Sequence, residues 1–81
     1  MNKLAKKLAN LAFMYSPIWA NYQEAYIRVQ INGRTISVDV RTENNFSAYA
    51  ADVPLAELQW REVKKLTKYL EERGGWSFLS L

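Results

Sequence analysis

Serine hydroxyls and carboxylates are the side chains with which this 81-residue chain could carry out covalent chemistry. The sequence contains no histidine and no cysteine, so its five serines lack the usual general base, and thiolate nucleophiles and sulfur-ligated zinc are excluded. Its three glycines form no phosphate-binding loop, and no serine lies in a Gly-x-Ser-x-Gly motif. We therefore expect a protein that is not an enzyme and that has no cofactor and no metal site.

The charged residues of the C-terminal third are spaced as on a helix. Glu57 and Arg61 are four residues apart, as are Lys68 and Glu72, which is the ordinary spacing of surface ion pairs. Four cations share one side of this helix and are called the basic row: Arg61, Lys64, Lys65 and Lys68. Such a row could contact phosphates or an acidic protein, or it could simply be a solvated helix face.

Aromatic residues are abundant, with three Trp, five Tyr and three Phe making up 14% of the chain. This exceeds what one thin core needs, and Trp, Tyr and Arg dominate protein-binding hot spots. Phe13 and Met14 lie outside the apolar stripe of the first helix, which indicates either a contact surface or packing under a turn at Pro17. Trp60 lies at the border of the stripe of its own helix. Four others are expected on the open face of a sheet: Tyr26, Arg28, Arg41 and Tyr49. These residues are the predicted partner contacts.

Two segments have helical periodicity. Leu4, Leu8, Leu11 and Tyr15 recur at steps of four and three, which predicts a helix over about 3–14. Ser16-Pro17 predicts either a kinked continuation or a short helix at 17–24. A last helix is expected to open at Asp52-Val53-Pro54, to carry an apolar stripe through Leu70 and to end at Gly74-Gly75.

The intervening residues alternate as in strands. Asn32-Gly33 predicts a two-residue hairpin turn, which places Val29 opposite Ile36 and Ile27 opposite Val38. A third strand is expected at about 46–51, with Phe46, Ala48 and Ala50 on one face and Tyr49 on the other. The apolar tail at 76–81 predicts a fourth strand, which should run parallel to the third after a helical crossover.

These elements predict a single α+β domain covering residues 1–81. Its architecture is a two-layer sandwich of order α-β-β-β-α with a C-terminal fourth strand, in which both helices cover one face of an antiparallel sheet.

The net charge of +3 is confined to the first 23 residues and makes an anionic partner permissible without requiring one. No apolar run reaches the length of a membrane span. Lys3, Lys6 and Lys7 before a Leu-rich stretch suggest a signal peptide, but polar residues interrupt that stretch, which favours a cytoplasmic protein. We expect a small protein-interaction module, such as a regulator, adaptor or phage-type inhibitor, with a homodimer as one possible form. The alternative is a nucleic-acid-binding protein that uses the basic row or the open sheet face.

Overall fold

A computed structural model describes residues 2–17, 26–41, 47–74 and 76–80. The elements are helix α1 (Asn2–Tyr15), strands β1 (Tyr26–Asn32), β2 (Thr35–Arg41) and β3 (Ser47–Pro54), a 3-10 turn (Leu55–Glu57), helix α2 (Trp60–Glu71) and strand β4 (Trp76–Ser80). The predicted α-β-β-β-α order is confirmed, and the fourth strand is present. The predicted continuation at 17–24 lies, beyond residue 17, outside the described residues.

The sheet has the order β3-β2-β1-β4 and is antiparallel throughout. The prediction that β4 runs parallel to β3 is wrong, because β4 pairs antiparallel with β1. The reason lies in where the chain leaves and re-enters the sheet. Pro54 is opposite Thr35 and Trp76 is opposite Gln30, so both lie at the β1–β2 turn end. A chain that returns at the end from which it left must run in the opposite direction.

The β1–β2 hairpin has the predicted faces but not the predicted pairs. Its register joins Val29 to Val38 and Ile27 to Val40, because the turn residues are Gly33 and Arg34. Gly33 has a φ of +61°, a conformation that glycine adopts without strain. Asn32 belongs to the strand, and its side-chain amide donates a hydrogen bond to the Ser37 hydroxyl at 2.7 Å. Each partner shifts by two residues, so the apolar residues stay on the same face.

The residues of strand β3 that face the core differ from the predicted ones. Tyr49 and Val53 are buried, whereas Ala50 is exposed, which is the reverse of the predicted alternation. The strand continues to Pro54, so residues that were expected to open the last helix belong to the sheet. Within the described strand, burying Tyr49 and Val53 removes more apolar surface from water than burying Ala48, Ala50 and Asp52 would, which favours the observed alternation.

Helix α2 begins later than predicted, at Trp60. Gln59 is its N-cap and forms a capping box with Glu62, which replaces the expected start at Asp52-Val53-Pro54. Glu57 lies in the 3-10 turn outside α2, so it does not have the helical relation to Arg61 that its spacing predicted. After the helix, Gly74 has a φ of +78°, which confirms the predicted glycine stop.

Both helices contact the same buried cluster on one face of the sheet, as predicted. Helix α1 packs against β2, β3 and β4 with an alanine-rich surface, and α2 contacts β4. The buried residues of the helices are Leu4, Ala5, Leu8, Ala9, Ala12, Leu66 and Leu70. Small alanines let a helix approach a sheet closely, and three of the five buried residues of α1 are alanines. Among the described residues, no helix combines the length and apolar character that crossing a bilayer requires.

Candidate interaction surfaces

The C-terminal end of α1 exposes three consecutive large apolar residues. Phe13 is 43% exposed, Met14 is 73% exposed and Tyr15 is 44% exposed; together they are called the α1 patch. The prediction that Phe13 and Met14 lie away from the buried side is confirmed. Tyr15 was expected in the buried stripe, but it is the last residue of α1 and lies at the surface.

Tyr49 supports this patch from inside the fold. Its hydroxyl donates a hydrogen bond to the Ala9 carbonyl at 3.0 Å, and its ring meets the Phe13 ring edge to face, with centroids 5.9 Å apart at 78°. The prediction that Tyr49 is a partner contact on the open sheet face is therefore wrong. Tyr49, Ala51 and Val53 also recur in steps of two, but this spacing is no stronger a signal than the alternation of Phe46, Ala48 and Ala50.

The open face of the sheet is polar, and several of its side chains contact one another. Arg28 donates a hydrogen bond to Asp39 across the β1–β2 pair at 3.2 Å, and the Ser37 hydroxyl donates one to Asp52 at 3.1 Å. These residues line a shallow depression of about 500 Å³. Arg28 is exposed as predicted, and Tyr26 is half-buried. Arg41 pairs with Tyr26 in the backbone register, and its side chain is outside the described part of the structure.

The basic row lies on the outer side of α2. Its four members are exposed, whereas Leu66 and Leu70 of the same helix are buried, so the predicted placement of the cations is confirmed. Trp60, at the start of the helix, is 74% exposed. The Lys64 ammonium lies 6.0 Å from the centre of the Trp60 ring, so the structure brings this tryptophan together with the basic row.

Two acidic groups near the basic row, Glu62 and Glu72, contact other residues. Glu62 accepts a hydrogen bond from Lys7 at 2.8 Å and another from the backbone N–H of Gln59 at 2.8 Å. Glu72 lies 3.6 Å from Arg73, whose guanidinium stacks on the Tyr69 ring. The structure shows no ion pair for the basic row within the described residues. The Lys7–Glu62 pair, which joins the two helices, was not predicted, because its partners are 55 residues apart.

The Lys7–Glu62 pair makes stability depend on pH. The hydrogen bond from Lys7, followed by that from the Gln59 backbone, holds the pKa of Glu62 below its ordinary value of 4.5. A lowered pKa stabilises the fold above pH 4.5, and this contribution is lost as the pH falls through the lowered value. Glu62→Gln keeps a cap acceptor and removes the charge, so it should lower the free energy of unfolding at pH 7 by about 0.2–1 kcal/mol.

Urea titrations of the wild type and Glu62→Gln at pH 7 and pH 3 measure this effect. The difference between the two proteins should shrink at pH 3, and Glu57→Gln, at an exposed acid of the 3-10 turn, should show little difference at either pH. An equal difference between wild type and Glu62→Gln at both pH values would exclude the ion pair as its source.

The described residues form no group of three or more acidic side chains that could hold a metal ion. The two surfaces with features beyond those of an ordinary solvated face are the α1 patch and the basic row with Trp60. Comparison of the chain with protein-family models, with curated proteins and with solved structures gives no match. Function is therefore inferred from the geometry of these two surfaces.

Proposed function

We propose that this chain is a small, non-catalytic interaction module that binds a protein partner through the α1 patch. The observation that carries this proposal is the exposure of three successive large apolar side chains, Phe13, Met14 and Tyr15, at the end of one helix. Met and aromatic residues are enriched in the cores of protein interfaces. Covering them removes apolar surface from water, which is the main driving force of most protein association.

One residue of the α1 patch is held in place by contacts with the core. The Phe13 ring packs against Tyr49, and the Tyr49 hydroxyl is tied to the α1 backbone at Ala9. A side chain that is already held in place loses less conformational entropy when a partner binds. This support favours the α1 patch over a loosely attached hydrophobic surface as a recognition site.

The open sheet face is a weaker candidate for the same role. Arg28 is engaged with Asp39, and Ser37 is engaged with Asp52 and Asn32, so a partner would have to compete with existing contacts. Such a polar outer face is normal for an antiparallel sheet that is covered on one side. A cytoplasmic regulator, adaptor or inhibitor is the kind of protein to which this arrangement is suited.

A matched pair of substitutions tests the proposal. Met14→Glu places a charge in the α1 patch, and Gln30→Glu places the same charge on the open sheet face; both positions are exposed. Wild type and both variants serve as bait in a cell extract, and the retained proteins are quantified by mass spectrometry. Proteins retained specifically by wild type should fall at least about tenfold with Met14→Glu, the equivalent of 1.4 kcal/mol, and should persist with Gln30→Glu.

Circular dichroism of both variants verifies that the fold is retained. Retention of the same proteins at the same level by Met14→Glu would contradict the proposal, as would a loss confined to Gln30→Glu. If the partner is a second copy of this chain, light scattering gives twice the monomer mass for wild type and the monomer mass for Met14→Glu.

A further inference from the structure

We infer that the basic row and Trp60 form a binding site for single-stranded nucleic acid. This site is on α2 and goes beyond the proposed protein-binding role of the α1 patch. Phosphates would be bound by Arg61, Lys64, Lys65 and Lys68, and a base would stack on the exposed Trp60 ring.

The distribution of charge between the two layers supports an anionic ligand on the helices. Helices α1 and α2 together carry seven basic and two acidic residues, a net charge of +5. The rest of the chain carries four basic and six acidic residues, a net charge of −2. The modest overall charge of +3 therefore conceals a strongly basic helical layer, which attracts polyanions over a distance of about the Debye length.

Of the acids on or near α2, the exposed Glu71 lies three residues after Lys68 and forms no ion pair with the basic row within the described residues. The other three contact different groups or precede the helix. Glu62 is bound by Lys7 and by the Gln59 backbone, and Glu72 faces Arg73. Glu57, which the sequence spacing pairs with Arg61, lies in the 3-10 turn before the helix. Within the described residues the four cations have no ion pair, so phosphates can bind them without first displacing a carboxylate.

The spacing of the cations suits a phosphate chain. Arg61 and Lys68 are seven residues apart, which is about 10 Å along a helix axis. If each of the four cations contacts one phosphate, a single strand that runs along the helix can place about three to four phosphates at the basic row.

Trp60 favours a single strand over a duplex or an acidic peptide. Its ring is 74% exposed beside the Lys64 ammonium, which lies 6.0 Å from the ring centre. Unpaired bases stack on exposed aromatic rings regardless of sequence, whereas bases inside a duplex are already stacked. A base on Trp60 would place its own phosphate near Lys64.

Fluorescence anisotropy with a labelled oligothymidylate tests this inference. The dissociation constant should rise about 20- to 50-fold between 50 and 200 mM salt if three to four phosphates are bound, given the slope of about −0.7 per phosphate for single strands. Trp60→Ala should weaken binding by about 5- to 150-fold, which corresponds to the 1–3 kcal/mol of one stacked base.

Two charge-reversal variants, one in the basic row and one outside it, are compared in the same assay. Lys65→Glu should weaken binding and make the salt slope shallower by about one, whereas Arg34→Glu, in the exposed β1–β2 turn, should leave the slope unchanged. A labelled duplex and poly-glutamate are titrated in parallel, and both should bind more weakly than the single strand.

Three results would overturn the inference. The first is undetectable binding of the oligonucleotide at 50 mM salt. The second is an equal effect of Lys65→Glu and Arg34→Glu, which would indicate a response to net charge alone. The third is binding of poly-glutamate or the duplex as tight as that of the single strand. None of these results bears on the α1 patch, whose test uses different residues and a different readout.

Discussion

Tyr49→Ala is expected to lower the free energy of unfolding by about 3–5 kcal/mol, the range for removing a large buried aromatic side chain. Tyr49 is 5% exposed, donates to the Ala9 carbonyl and packs against Phe13. The substitution leaves a cavity between α1 and β3 and removes a buried hydrogen bond. A domain of this size has a total stability near the lower end of about 5–15 kcal/mol, so much of the protein should unfold.

The neighbouring residue provides the control for this prediction. Ala50 is exposed on the other face of β3, so Ala50→Lys should change the free energy of unfolding by less than about 0.5 kcal/mol. Urea unfolding followed by circular dichroism measures both variants. A stable Tyr49→Ala together with an unfolded Ala50→Lys would restore the alternation predicted from the sequence and contradict the observed one.

Leu66→Ala is expected to lower the free energy of unfolding by about 2–5 kcal/mol. Leu66 is fully buried and is one of two buried residues of α2, so its side chain fixes which side of that helix faces the sheet. Lys65 is one residue earlier, on the exposed side of the helix. The free energy of unfolding of Lys65→Ala should therefore stay within about 0.5 kcal/mol of that of wild type.

Thermal and urea unfolding of these two variants therefore tests the orientation of the basic row. If Lys65→Ala were the more destabilising substitution, the cations would face the core side of α2. The surface argued to bind nucleic acid would then not exist.

Periodicity was sufficient to predict the layers of this fold. Leu4 and Leu8 at helical spacing, and Ile27, Val29, Val38 and Val40 in alternation, identify the faces that meet in the core, and the structure buries all of them. The pairing within the hairpin was not determined by the same pattern. A shift that moves each partner by two residues keeps the same side chains on the same face. The register is therefore set by the turn, in which Gly33 rather than Asn32 is the first loop residue.

Strand β3 shows a second case in which the local sequence pattern does not determine the structure. Phe46, Ala48 and Ala50 alternate as plausibly as Tyr49, Ala51 and Val53, and only packing against Ala9 and Phe13 of α1 distinguishes the two sets. The direction of β4 likewise depends on where the connection through α2 re-enters the sheet. Such long-range contacts are not encoded in any short window of sequence.

Some features of the candidate site residues follow from local periodicity, and others depend on where an element begins. Exposure of Phe13, Met14 and the basic row follows from their positions around a helix, and periodicity predicted it. Trp60 and Lys64 are four residues apart, so their contact also follows from helical spacing. The separation of Glu57 from Arg61 required the true start of α2, which depends on the capping box between Gln59 and Glu62.

Site-specific photocrosslinking is the most direct test of whether the α1 patch binds a protein partner. A photoreactive benzoylphenylalanine replaces Met14 in one variant and Gln30, on the open sheet face, in another, and both are irradiated in living cells. We expect a discrete crosslinked species from position 14, identifiable by mass spectrometry, and none from position 30. Crosslinks from position 30 alone, or no crosslink from position 14 in a folded and expressed protein, would exclude the α1 patch as the binding surface.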